Sequence, residues 1–178
     1  MENWKARVYD RYGDSTARGR DGAGHESHGT AARRRFLQRY GRFLPADTTT
    51  ATLDIGCGSG GVLEALTSVG YTRPEGVDVS PSQVHAATAR GLTGVTLAPA
   101  VDYLRERRGR YAMITAFSVL EHQTRAELFD LLDAIRDSLT PGGTLIAVVP
   151  NAKGLFGAHV RFADITHELS FSPSSVHQ

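Results

Sequence analysis

The stretch Thr52-Leu53-Asp54-Ile55-Gly56-Cys57-Gly58-Ser59-Gly60-Gly61 decides the fold of this chain. Leu53 and Ile55 flank an acid, as in a buried strand that carries one polar residue near its carboxyl end. The glycines let the backbone turn sharply and approach a ligand without Cβ clashes. Val62, Leu63 and Leu66 then restart an apolar pattern at helical spacing, so the unit reads strand, glycine turn, helix. Gly56-x-Gly58-x-x-Gly61 also satisfies the dinucleotide fingerprint, which alone is a weak signal. Asp54 separates the two readings. A pyrophosphate on this turn is an anion, and a carboxylate two residues before the first glycine would repel it. A ligand with an ammonium or sulfonium group would be attracted instead.

The string from Leu53 to Gly60 resembles motif I of the class I S-adenosylmethionine-dependent methyltransferases, whose cofactor carries both cations and no phosphate. Gly76-Val77-Asp78-Val79-Ser80, Val119-Leu120-Glu121-His122 and Leu139-Thr140-Pro141-Gly142-Gly143 agree with that family in order and spacing. The four stretches cover Thr50 to Asn151 and are specific as a set. The resemblance implies an α/β fold, a Rossmann-like doubly wound parallel sheet in the order 3-2-1-4-5. It also implies S-adenosyl-L-methionine as cofactor, with S-adenosyl-L-homocysteine as product. The cofactor-binding positions it carries over are Asp54, Gly56, Cys57, Gly58, Gly60, Asp78, Val79, Ala100 and Phe117. Asp78 lies 22 residues after Gly56, where a carboxylate can accept both ribose hydroxyls. Its other reading is a strand-end acid before a helix whose N-cap is Ser80 and whose first residue is Pro81. The acid that many family members place after the third strand is missing. Ala98-Pro99-Ala100 stands there, and backbone groups are the substitute.

A chain of 178 residues suits one domain, here expected to span residues 1–178. The hydrophobic share of 40% and charged share of 22% are those of a globular protein rather than a disordered or membrane one. No apolar run approaches a membrane span, and the first residues do not open a signal peptide. Cys57 is the one cysteine, so no intrachain disulfide forms, which is compatible with the expected cytoplasmic location. It reads as small-residue packing in the turn rather than as a nucleophile. Residues 1–44 hold ten Lys/Arg against five acids, an excess that an anionic substrate or RNA could use. The excess is read as a solvated arginine face rather than as the mark of a nucleic-acid partner.

Along the chain, Trp4, Tyr9 and Tyr12 stand at helix-like spacing, followed by a polar glycine-rich stretch from Gly13 to Gly29. Residues 1–29 read as a lid or mobile segment, with Tyr9 or Tyr12 either lining the site or anchoring the terminus. A helix is expected over Thr30–Phe43, and strands over Glu75–Val79, Val95–Leu97, Tyr111–Ala116 and Thr144–Val149. The pattern Leu128, Leu131, Leu132, Ile135, Leu139 marks an amphipathic helix before the last strand. Pro141-Gly142-Gly143 is expected to turn the chain into it. The family continues past that strand with a helix and an antiparallel hairpin. Only 27 residues follow Asn151, so residues 152–178 are expected to be a substrate-side segment of a shortened form.

Methyl transfer from a sulfonium needs alignment of donor and acceptor, and a base when the acceptor is a hydroxyl. His122 and His167 stand where strand-edge loops would meet the methyl group, and a neutral imidazole suits that task. The context Asp164-Ile165-Thr166-His167-Glu168 resembles a segment of methyltransferases from sugar and natural-product pathways. Glu121, His122 and His167 would also make a ligand set for a divalent metal. Small-RNA 2′-O-methyltransferases carry a similar set with one more Glu, where this chain has Ser118. The expectation is therefore O-methylation of a small polar acceptor, a sugar or natural product, by a monomer or homodimer without a required metal. RNA 2′-O-methylation and a cofactor-binding module without activity are the rival readings.

Overall fold

The structure is a computed structural model and describes residues 4–9, 25–154, 157, 162 and 164–176. Tyr12, which entered the sequence reading, lies outside the described residues. Helix α1 spans Trp4–Tyr9 and α2 spans His25–Tyr40, the latter running into a 3₁₀ turn at Gly41–Phe43. The glycine-rich stretch is therefore not all loop, because its last five residues are already helical.

Strand β1 is Thr52–Ile55, buried at all four positions, and α3 is Gly61–Ser68. Strand β2 (Pro74–Asp78) leads into α4 (Pro81–Ala89), which starts as its sequence demands. Ser80 Oγ accepts from Gln83 N at 3.5 Å, and Pro81 takes the first-turn position where its missing N–H costs nothing. Strand β3 (Val95–Leu97) is followed by a short helix α5, Ala100–Arg105. Six residues give no usable periodicity, so α5 is invisible in the sequence. Strand β4 is Tyr111–Phe117 and α6 is Arg125–Ser138. Thr124 and Glu127 close α6 with a reciprocal capping box.

Strand β5 runs from Leu139 to Val148, five residues earlier than its apolar core predicts. Leu139 pairs with Tyr111 and Thr144 with Met113, so Pro141-Gly142-Gly143 bulges out of a strand that has already begun. Gly142 takes φ +77, a conformation that a side chain would strain. Helix α7, Pro173–Val176, closes the described residues.

All strand pairings are parallel and the order is β3-β2-β1-β4-β5. Helices cover both faces. Leu53, Ile55, Ile114, Leu104, Leu131 and Ile135 form one core under α5 and α6. Phe36, Ala65, Leu66, Met113 and Ile146 form the other under α2 and α3. Each fully buried aliphatic side chain contributes about 1.5–3 kcal/mol, so these two layers hold the sheet edge rigid for the loops above it. Among the described residues no antiparallel hairpin follows β5. Instead Asn151 makes one parallel bridge to Phe171, whose ring packs on the core.

Candidate active site

The carboxyl ends of β1, β2 and β4 bring the expected residues together. Asp54 sits beside Gly76 of β2 and Thr115 of β4, buried to 3% exposure. Burial pushes its carboxyl up to about 7, the Thr115 hydroxyl at 2.5 Å opposes that, and the Asp78 charge adds to it. Gly56, Gly58 and Gly60 all take positive φ, +66, +52 and +87, so the turn is a left-handed run only glycines adopt freely. A Cβ on Gly60 would lie 2.1 Å from Leu92 Cδ1. Asp78 ties the turn to β2: its carboxylate accepts Gly58 N and Ser80 N, each at 2.8 Å. Each oxygen keeps a lone pair, and the residue is half-buried, so a diol can still be accepted there.

The remaining cofactor positions differ in what they offer. Val79 is exposed beside Asp78, and Ala100 opens α5 next to Ala98, whose N–H reaches Asp78 O at 3.1 Å. The Cys57 side chain turns inward onto Gly76, where a Cβ would stand 2.8 Å from its sulfur. Burial, then Asp54 and Asp78, push this thiol well above its ordinary value, so it is no nucleophile. Phe117 lies at the edge, but its ring packs against Phe36 and Tyr40 with centroids 5.9 and 5.0 Å away.

The loop after β4 is unusual. Ser118 has φ +55, the one positive value on a non-glycine among the described residues, and strain of that kind clusters at functional sites. A 3₁₀ turn at Leu120–His122 then buries Glu121 and His122 to 1% and 7% exposure. The segment 164–169 lies over this turn, with Glu168 N and Leu169 N donating to Glu121 O. His122 Nδ1 is 2.7 Å from Thr166 Oγ1, and Thr166 Oγ1 is 2.6 Å from Asp164 Oδ1. The His167 ring stacks obliquely on His122 at 4.9 Å between centroids. Burial draws His122 below the ordinary imidazole value, with His167 and Lys5 adding and Asp164 opposing. Both catalytic candidates thus meet at one place.

Helix α1 caps that place. Lys5 Nζ donates to His122 O at 2.9 Å and pairs with Glu127 at 3.1 Å and Glu168 at 3.8 Å. The Tyr9 ring meets His122 edge-on at 6.4 Å. Burial raises the Tyr9 phenol to about 12, and the acids acting on it include both Asp164 and Asp78. Tyr9 thus faces His122 from α1 and hydrogen-bonds to Thr166.

Glu121 contrasts with Glu75 at the opposite end of the sheet. Glu75 accepts Tyr103 at 3.0 Å, Tyr111 at 2.7 Å and the Arg110 guanidinium. Glu121 is far less well satisfied among the described residues: burial pushes its carboxyl up toward the neutral form, and its own backbone, His167 and the Ser118 side chain only partly oppose that. A small cavity, about 10 Å³, opens between Glu121, His167 and Leu169. Ligand atoms of Glu121, His122 and His167 lie within 4.8 Å of one another. These three side chains are therefore a candidate ligand set for a divalent metal.

Sequence reasoning missed Thr115, Thr166 and Lys5 as participants. Thr115 sits inside the apolar run Ile114–Ala116 and gains meaning only through its register with Asp54. Thr166 and Asp164 stood in a noted segment, but their contact with His122 spans 44 residues of chain. No local pattern carries such a contact.

Comparison with known proteins agrees with this geometry. A family model described as a methyltransferase domain matches residues 28–175. An S-adenosylmethionine-dependent methyltransferase from Archaeoglobus fulgidus superposes with TM-score 0.73 at 23% identity, over 84% of this chain and 65% of that one. A Haloferax volcanii methyltransferase, solved with the Trm112 activator, gives 0.74 at 21% identity over 96% and 72%. A Haemonchus contortus phosphoethanolamine N-methyltransferase, solved with S-adenosylhomocysteine, gives 0.66 at 21% over 81% and 35%. This chain spans about two thirds of the two microbial relatives and about a third of the nematode enzyme. No curated protein matches the sequence. No helix among the described residues is long and apolar enough to cross a membrane. From the matched family and the 3-2-1-4-5 sheet with its glycine turn, the chain belongs to the methyltransferase-domain family, on the class I S-adenosylmethionine-dependent fold.

Proposed function

We propose that this protein transfers a methyl group from S-adenosyl-L-methionine to an oxygen of a small polar acceptor, a sugar or natural product, with His122 as base. The observation that carries the reading is the placement of His122, oriented through Nδ1 at the end of β4 on the sheet edge that holds Asp54 and Asp78. The residues at that edge fit the cofactor: Asp78 for the ribose hydroxyls, and buried Asp54 to favour a cation near the turn. When bound, the cofactor supplies a methyl group on a sulfonium, a leaving group already activated. The chain must then hold the acceptor in line and take its proton. His122 and His167 lie 4.9 Å apart, so an acceptor hydroxyl beside one is within reach of the other.

A methyl-transfer assay with labelled cofactor, a panel of sugars and phenolic natural products, and a structured RNA tests this. Transfer to a small hydroxylated acceptor, lost about 10²–10⁴-fold in His122→Ala with S-adenosylhomocysteine affinity kept, is the expected result. Transfer to RNA alone would replace the small acceptor by the RNA reading. Cofactor binding without transfer to any acceptor would favour a binding module. The Haloferax relative was solved with an activator, so a partner-dependent activity is the reading to test next if the isolated chain is silent.

A further inference from the structure

We infer that Asp164 and Thr166 position His122 as a relay, fixing the proton on Nδ1 and leaving the Nε2 lone pair for the acceptor. The inference rests on the reading of His122 as base, and it adds the residues that set which nitrogen acts.

Thr166 is fully buried, and its hydroxyl has one proton to give. Its close polar neighbours are Asp164 Oδ1 at 2.6 Å, His122 Nδ1 at 2.7 Å and the Tyr9 phenol, which is hydrogen-bonded to it. A carboxylate oxygen has no proton of its own, and an O–H···O⁻ contact of that length is a charge-assisted bond. The Thr166 proton therefore goes to Asp164, and the hydroxyl oxygen must accept from His122. A neutral His122 then carries its hydrogen on Nδ1, and its basic lone pair is on Nε2. Thr166 N also donates to Asp164 Oδ1, at 2.8 Å, which holds the carboxylate in register with the hydroxyl.

During transfer the acceptor O–H proton passes to Nε2 as the oxygen takes the methyl and the sulfonium sulfur leaves as a neutral thioether. The imidazolium so formed keeps its Nδ1–H on Thr166, and the negative charge of Asp164 stands behind that hydroxyl. The relay thus favours the charged form that appears only as the proton moves, the logic of an acid that orients a catalytic histidine. The other groups facing His122 are His167 and Lys5, which disfavour its charge, Tyr9 from α1, and the neighbouring Glu121. Asp164 is the acid among them that opposes His167 and Lys5.

The test uses the full chain, ¹⁵N-histidine labelling and turnover on whichever acceptor the panel identifies. Wild type should show His122 as the Nδ1–H tautomer. Thr166→Val should lose that signature and about 10²-fold in kcat, with KM and S-adenosylhomocysteine affinity kept. Thr166→Ser, which restores the hydroxyl, should recover the tautomer and most of the turnover. A wild-type Nε2–H tautomer overturns the relay even if no Thr166 variant folds. So does Thr166→Val turning over like wild type while His122→Ala is inactive. Full activity of His122→Ala instead overturns the base reading itself, a separate result from either.

Discussion

Thr115 and Asp54 stand opposite each other on neighbouring parallel strands, the threonine hydroxyl 2.5 Å from the carboxylate. That single bond is the one close partner offset against full burial, and the carboxyl is held up to about 7. The folded chain therefore binds a proton that the unfolded chain releases near its ordinary value of 3.8. Stability from this group is complete below that value and is lost as pH rises through about 7. Thermal melts of the unliganded protein should fall over that window, and Asp54→Asn should flatten the fall. A cationic ligand favours the ionised form, so cofactor binding near neutral pH should release a proton and tighten as pH rises. Calorimetry in two buffers of different ionisation heat measures this, and equal heats in both would refute it.

Asp78 bears on both the turn and the ligand. Asp78→Ala should weaken S-adenosylhomocysteine by ~1.5–3 kcal/mol, the range for hydrogen bonds to a charged group. Because Gly58 N and Ser80 N lose their acceptor too, the melting temperature should drop in the same variant. NAD should not bind detectably. Tight NAD binding, or an unchanged S-adenosylhomocysteine affinity, would overturn the cofactor assignment.

The parts of this molecule that sequence made legible share a property: their signal is local. Strand β1, the glycine turn and α3 lie within 17 residues, and turn chemistry and helical spacing announce them together. Ser80 and Pro81 announce α4 in the same way. What stayed hidden depends on pairs distant in the chain. Leu139 is a helix-pattern residue in sequence, yet it opens β5 because Tyr111 receives it in register. Phe117 reads as a site residue from its place at the end of β4, and nothing near it in the sequence shows the two rings of α2 that pack against its own. The proton count at His122 requires Thr166, and nothing near His122 in the sequence points there.

Gly60 should be the least replaceable residue of the turn. Its φ of +87 costs a side chain about 1–2 kcal/mol, and a Cβ there also meets Leu92 Cδ1 at 2.1 Å. The second cost falls on the far end of a flexible side chain, so it is separable. In a double-mutant cycle, Gly60→Ala and Leu92→Ala should couple favourably by about 1 kcal/mol. Chemical denaturation gives all four values. A Gly60→Ala protein as stable as wild type would mean that the turn is not left-handed there.

Lys5 fastens α1 over the histidines. Its ammonium reaches His122 O, Glu127 and Glu168, and the shortest of these three contacts is a bond to backbone rather than an ion pair. Lys5→Met should speed amide exchange across residues 4–9 and raise KM, with global stability changed by no more than about 1 kcal/mol. Unchanged exchange in α1 would show that other contacts hold the lid.

The edge of the sheet carries the last prediction. Among the described residues nothing pairs with the outer side of β5, the longest strand. Pro141 and Gly142 blunt its beginning through the bulge, because proline cannot donate to a new strand. From Thr144 to Val148 there is no charge and no proline, an edge of the kind that invites pairing. Phe171 covers part of the face beneath it, whereas Phe162 and Ile165 stand 80% and 82% exposed. Among the described residues, cover of the face leaves the backbone edge open, so this chain should self-associate through β5, with apparent mass rising with concentration in light scattering. Ala147 is exposed on that strand, and Ala147→Lys places a charge there without entering the core. The substitution should return the protein to a monomer at every concentration while the melting temperature holds. A wild-type chain that is monomeric throughout the series would show that the open edge does not drive association.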